Sequence, residues 1–139
     1  MPKQNRQKRA VTRIRSVKSK LDEDSTREHL QIFLTEYFLC EMSCKEMIVG
    51  FKDDIGEPIE YKDVSMYMVD IRRALNHYGI EITKELRNCL FSKDANSAKS
   101  IRDSLVHGIS KNNLDKVNRY FAQLTADMKA FLEVVEGSL

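Results

Sequence analysis

The sequence predicts an all-α fold, an antiparallel bundle of about five helices behind a basic N-terminal arm. Three observations lead there. Apolar residues recur at 3–4 spacing over most of the chain after residue 24, the period of an amphipathic helix. No segment alternates apolar and polar residues as a half-buried strand does. Helix-breaking residues are scarce, with five glycines and two prolines among 139 residues. Short links between the periodic segments make successive helices antiparallel neighbours.

The first periodic segment carries Leu30, Leu34, Tyr37, Cys44, Ile48 and Phe51, with one gap that Glu41 fills. Asp24 or Ser25 is a candidate cap for its start. Phe33, Phe38, Cys40 and Met47 add a second apolar stripe, so this helix is expected to be covered on more than one side. Asp53 to Pro58 reads as a turn. A second helix places Tyr61, Val64, Met68, Ile71, Leu75 and Tyr78 in register, and Gly79 ends it. A short third segment over 82–91 repeats Ile82, Leu86 and Leu90. Ser92 to Asn96 form a connection, and a fourth helix starts near Asn96 or Ser97. Ser110 to Asn113 read as a loop. The last helix keeps the 3–4 pattern without a miss through Leu114, Val117, Phe121, Leu124, Met128, Phe131 and Val135.

Apolar residues make up 42% of the chain and charged residues 32%, a balance that suits a globular domain and excludes a disordered polymer. The length suits one domain, here residues 21–139 after an arm of residues 1–20. No apolar run approaches the roughly 20 residues of a membrane span, and no secretory h-region opens the chain. The expected compartment is therefore the cytoplasm, with no membrane partner. Cys40, Cys44 and Cys89 make an odd set without export, which argues against a disulfide framework. No histidine or further cysteine completes a zinc site with Cys40 and Cys44, so no metal or other cofactor is expected and the three read as small buried hydrophobes.

A net charge of +2 conceals an asymmetry. Residues 1–20 hold Lys3, Arg6, Lys8, Arg9, Arg13, Arg15, Lys18 and Lys20 and no acid, whereas the remainder sums to −6. Such arms commonly contact phosphates, and Lys3, Arg6, Lys8, Arg9, Arg13 and Arg15 are candidate RNA ligands. A solvated tail that aids solubility is the competing reading, and composition alone does not separate the two.

The chemistry concentrates in Ile101 to Ile109. On a helix of roughly 100° per residue, Ile101 and Leu105 make a core-facing stripe. Arg102, Asp103 and His107 then span the opposite side, with Val106 among them. Asp103 and His107 are i, i+4 neighbours, so the carboxylate is placed to fix the tautomer of the ring. Gly108 permits a left-handed cap or a close backbone approach. A histidine that merely decorates a helix C-terminus is the plainer alternative.

Arg102-Asp103-Ser104-Leu105-Val106-His107-Gly108 resembles the R-x4-6-H signature of the HEPN superfamily, which typically has Asn, Asp or His after the arginine and often Gly after the histidine. The motif also lies where that family carries it, on a late helix of a small all-α bundle, followed by one more long amphipathic helix. The resemblance covers roughly residues 24–136, but only these seven are specific. It implies a homodimer whose paired motif helices form one composite cleft. It also implies catalytic roles for Arg102 and His107, with Asp103 in the polar position beside them, and a dimer contact at Val106 and Gly108. The implied activity is metal-independent endoribonuclease action on RNA in a toxin–antitoxin or defence system, with a cognate antitoxin or defence protein as partner. Non-catalytic members bind a protein or nucleotide instead, and that is the alternative. Toxins regulated by nucleotide transfer carry a tyrosine two residues after the histidine; Ile109 stands there in this chain, which places it outside that subclass.

The residue types suit the reaction on their own terms. RNA supplies its 2′-hydroxyl as nucleophile, so the protein needs only a base, an acid and a cation for the crowded phosphate. A histidine titrating near 6.5 serves as either acid or base at neutral pH. One chain has one such histidine in the motif; a symmetric dimer brings two, with two arginines. Elsewhere, His29 reads as a first-turn surface residue and His77 as a C-terminal cap group. Arg72 and Arg73 read as a solvated face, Tyr61 and Tyr78 as packing residues, and Tyr67 is left open between stacking and exposure. A helical adaptor whose arm binds nucleic acid is the third possibility.

Overall fold

The computed structural model describes residues 3–139, with side chains from residue 5 onward. Among the described residues six α-helices follow one another: α1 Lys3–Leu21, α2 Thr26–Asp54, α3 Met68–His77, α4 Lys84–Leu90, α5 Ala98–His107 and α6 Lys111–Ser138. The described residues contain no strand. Among the described residues no helix is long and apolar enough to cross a membrane.

The two long helices, α2 and α6, share the most extensive interface. Asn118 donates to the Thr26 hydroxyl at 2.8 Å, His29 stacks on Phe121 with ring centroids 4.1 Å apart, and the Cys40 thiol points at the Met128 carbonyl. These pairs climb together along both helices, so α2 and α6 run in the same direction. α5 returns the chain antiparallel to α6 through a three-residue turn. The core between them holds Phe33, Met47, Ile48, Leu75, Leu86, Ile101, Leu124, Met128 and Phe131, all essentially inaccessible. Fully burying each such side chain is worth about 1.5–3 kcal/mol before conformational entropy is counted.

The last helix buries Leu114, Val117, Leu124, Met128, Phe131 and Val135, the stripe its spacing announces, while Phe121 is half-buried against His29. It starts earlier than expected. Ser110 is its N-cap, and Ser110 and Asn113 exchange side-chain-to-backbone bonds in a reciprocal capping box, so 111–113 are helical rather than loop. α2 buries Phe33, Cys40 and Met47 together with Tyr37, Cys44, Ile48 and Phe51, but Phe38 points outward and is 55% exposed.

The second expected helix is shorter than its periodicity suggests. Tyr61–Asp63 form one 3₁₀ turn, Val64 to Tyr67 run extended, and α3 begins at Met68. Val64 drops into the core from this extended segment, so tertiary burial of a β-branched side chain overrides the helical period. Tyr61 and Met68 are consequently exposed, as is Tyr67.

α1 is a regular helix that meets the bundle only near its C-terminal end. Lys20 reaches Asp115 on α6 at 3.3 Å, and Ser16 and Val17 lie beside Ser110 and Lys111. Residues 5–15 are all exposed. The helix therefore extends beyond the start of α6, by about 20 Å for its first 13 residues at 1.5 Å each.

Candidate active site

Helix α5 is capped by Ser97, whose hydroxyl accepts from Ser100 N at 3.2 Å and donates to the Asp94 carbonyl at 2.9 Å. Its inner face is Ala98 and Ile101, both buried, with Leu105 half-buried behind them. That anchoring fixes where the motif side chains emerge.

Arg102 does not emerge freely. Its guanidinium lies against α2, 2.6 Å from the Glu41 carboxylate, 3.3 Å from Asp103 and 5.6 Å from the centre of the Tyr37 ring. Its Nε is buried without a hydrogen-bond partner among the described residues. Arg102 and Glu41 line a cavity of about 280 Å³ together with Tyr37, Lys45, Lys99 and Asp103. The Tyr37 hydroxyl donates to the Cys89 carbonyl at 3.0 Å; burial first, and the nearby Glu41 charge second, push its ionisation far up, so it stays a neutral donor.

Asp103 was expected to orient His107. Instead it accepts from Lys99 at 2.9 Å and from Arg102, and no bond joins it to His107 among the described residues. The i, i+4 spacing offers Asp103 both Lys99 behind and His107 ahead, and the flexible ammonium takes the carboxylate.

His107 is the last residue of α5 and is exposed. The turn after it is built firmly. Gly108 has φ 151° and ψ 138°, a conformation open almost only to glycine. The buried Asn113 donates from Nδ2 to the Gly108 carbonyl at 2.9 Å and sits 3.5 Å from the Ser104 hydroxyl. The ring of His107 thus projects from a fixed backbone. Arg102 and His107, five residues apart, diverge by about 140° around the helix, so one chain does not bring them onto the same spot. Val106 is 65% exposed between them, and Gly108 is exposed as well.

Arg6, Lys8, Arg9, Arg13 and Arg15 are exposed on α1; Lys3 heads that helix, and its side chain lies outside the described residues. His29 bonds Asn118 at 2.9 Å and His77 bonds Asp54 at 2.9 Å, away from the motif. Arg72 and Arg73 lie over the Phe91 and Phe51 rings. Cys40, Cys44 and Cys89 are free and buried; burial pushes the Cys44 thiol up to about 12, and a hydrogen bond with Cys40, then burial, pushes Cys89 up. Among the described residues no group of three or more His, Cys, Asp or Glu is placed to hold a metal ion.

Two contributors escape a reading of the motif alone. Glu41 was legible as the one acid interrupting an apolar stripe, a position that demands a cation opposite. Asn113 was legible three residues after Ser110, the spacing of a capping box. Comparison of the chain with protein-family models, with curated proteins and with solved structures finds no match.

Proposed function

We propose that the chain is a metal-independent endoribonuclease of the HEPN type, acting as a homodimer in a toxin–antitoxin or defence setting. The observation that carries this reading is His107, an exposed imidazole held at the end of α5 by the Gly108–Asn113 turn, on the same short helix as Arg102. In the proposed dimer one His107 removes the 2′-hydroxyl proton as O2′ attacks phosphorus. The other protonates the departing 5′-oxygen, leaving a 2′,3′-cyclic phosphate and a 5′-hydroxyl. The arginines stabilise the charge that grows on the phosphoryl oxygens. The divergence of Arg102 and His107 within one chain agrees with a site completed by a second copy. Val106 on α5, and Phe38 and Met42 one turn apart on α2, supply exposed apolar surface for that copy.

One observation favours a second reading. The Arg102 guanidinium is already engaged by Glu41, as a purely structural arginine would be, which suits a non-catalytic binding module. The two readings part in one experiment: digestion of total cellular RNA and tRNA in EDTA by the wild-type protein and by His107→Ala. Because His107 is exposed, the variant keeps its fold. Cleavage by wild type alone, with cyclic phosphate ends, is the expected result. Equal cleavage by both proteins, or none by a folded wild-type dimer, rejects the ribonuclease.

A further inference from the structure

Where α1 passes the α5–α6 turn, the two flank an open cleft of about 430 Å³. Lys8, Arg9 and Arg13 line it from α1 and Lys111 from α6, with the Ser16 and Ser110 hydroxyls between them. No carboxylate lines it. Neighbouring cations are neutralised: Lys20 pairs with Glu23 and Asp115, and Arg119 with Asp115. The four cleft cations form no ion pair among the described residues. Folding brings Lys111 of α6 beside three cations of α1 with no carboxylate between them, a positive groove that favours an anion.

Arg13 and Val17 also border a second concavity of about 370 Å³, which Ile14 and Ile109 complete with apolar surface. Cations and hydroxyls on one side of Arg13 and apolar side chains on the other match an unpaired nucleic-acid strand, with phosphates along one edge and base faces along the other. A duplex hides its base faces, whereas an unpaired strand presents them.

We propose that this cleft binds the phosphate backbone of single-stranded RNA. Lys8, Arg9, Arg13 and Lys111 contact phosphates, and a base rests against Ile14 and Ile109. Ser110 is three residues beyond His107, within about 10 Å of chain, so a strand in the cleft is led toward the imidazole. Binding stands without the ribonuclease reading; only the delivery to His107 rests on it.

The test is fluorescence anisotropy of labelled oligouridine with full-length protein in the His107→Ala background. It is compared with the same chain also carrying Lys8→Gln, Arg9→Gln, Arg13→Gln and Lys111→Gln. For single strands the slope of log affinity against log salt falls by about 0.7 per cation lost, hence by about 2.8 for four. Between 50 and 200 mM salt the parent therefore weakens about 50-fold more than the variant. The control pair Arg6→Gln and Arg15→Gln, outside the cleft, is expected to lower the slope less per residue. An unchanged slope in the fourfold variant, or an equal loss per residue in the control, overturns the cleft. Binding to phosphatidylserine vesicles but not to oligouridine, abolished by Ile14→Ser, overturns it in favour of a membrane surface. RNA bound through the cleft but never cut by wild type rejects the ribonuclease and leaves the cleft standing.

Discussion

Glu41→Gln separates a restrained arginine from a structural one. The substitution removes the charge 2.6 Å from the Arg102 guanidinium but keeps an oxygen able to accept its hydrogen bond. A phosphate that reached the guanidinium would sit roughly 6 Å from the Glu41 carboxylate, where the Coulomb repulsion is between about 0.7 and about 3 kcal/mol for effective dielectric constants of 80 and 20. The two side chains are 28% and 23% exposed, so solvent screening puts the effective value near 1 kcal/mol, or about fivefold. The expected result is roughly fivefold tighter RNA binding and faster single-turnover cleavage at low salt. The lost pair should lower the melting temperature by only about 3–5 °C, the equivalent of about 1 kcal/mol for a chain this size. Arg102→Ala, by contrast, should abolish cleavage. The reasoning is refuted if Glu41→Gln depresses cleavage as deeply as Arg102→Ala while the protein stays folded. Glu41 would then be holding Arg102 in its working position. No change in either binding or cleavage refutes it equally, because Arg102 would then not meet the phosphate.

Three further outcomes follow from the packing and the ionisable groups. Phe131→Ala empties a fully buried site between α6 and the core, and is expected to cost about 3–5 kcal/mol, read as a fall of about 2 M in the urea midpoint. Gly108→Ala meets no atom within 4 Å but forces a side chain into φ 151°, so its cost is backbone strain of about 1–3 kcal/mol in a thermal melt; an unchanged melt would mean that the turn relaxes. Cys44 titrates near 9.0 when unfolded and near 12 when buried, so the unfolded state loses its proton first. Stability should therefore be constant in this respect below about pH 9 and fall as pH rises from there toward 12, with Cys89 and Tyr37 adding in the same direction. Cys44→Ser should flatten part of that alkaline slope in urea titrations.

The fold was legible where one face of a helix carries the whole of its burial. The α6 stripe from Leu114 to Val135 shows this, since a single 3.6-residue period is enough to place it. Legibility failed where burial depends on another part of the chain. Val64 keeps helical register with Ile71, yet it reaches the core from an extended segment, and no local signal separates the two ways of burying it. Phe38 failed for a related reason: α2 is apolar on more sides than its neighbours cover. At the site, the wheel put Ile101 on the core face, where it is buried, and Arg102 among the residues facing away from the core, whereas Arg102 lies half-buried against α2. It could not show that α2 stands at that angle with Glu41 ready to meet the guanidinium. Short-range capping was encoded locally at Ser97 and at Ser110–Asn113, whereas the choice of Asp103 between Lys99 and His107 depends on a competition that spacing leaves tied.

The charge asymmetry connects these observations. An excess of acid in the bundle and of base in α1 would, without structure, let the arm fold back and neutralise itself. The helix prevents most of that. Among the described residues Lys20 is the α1 cation that finds carboxylates, Glu23 and, on α6, Asp115. The cations at 8, 9 and 13 lie beside the α5–α6 turn instead, and none of them pairs with a carboxylate among the described residues. Arg102 shows the opposite arrangement, a cation whose counter-charge is supplied within the fold. The molecule thus holds one set of arginines and lysines open and one arginine closed, with the exposed His107 on the same helix as the closed one. An anionic strand would meet the open set first at long range, and only the energy of docking there could compete with Glu41 for Arg102. If a strand docks in that order, loss of the arm cations weakens encounter while Glu41→Gln alters what happens after it.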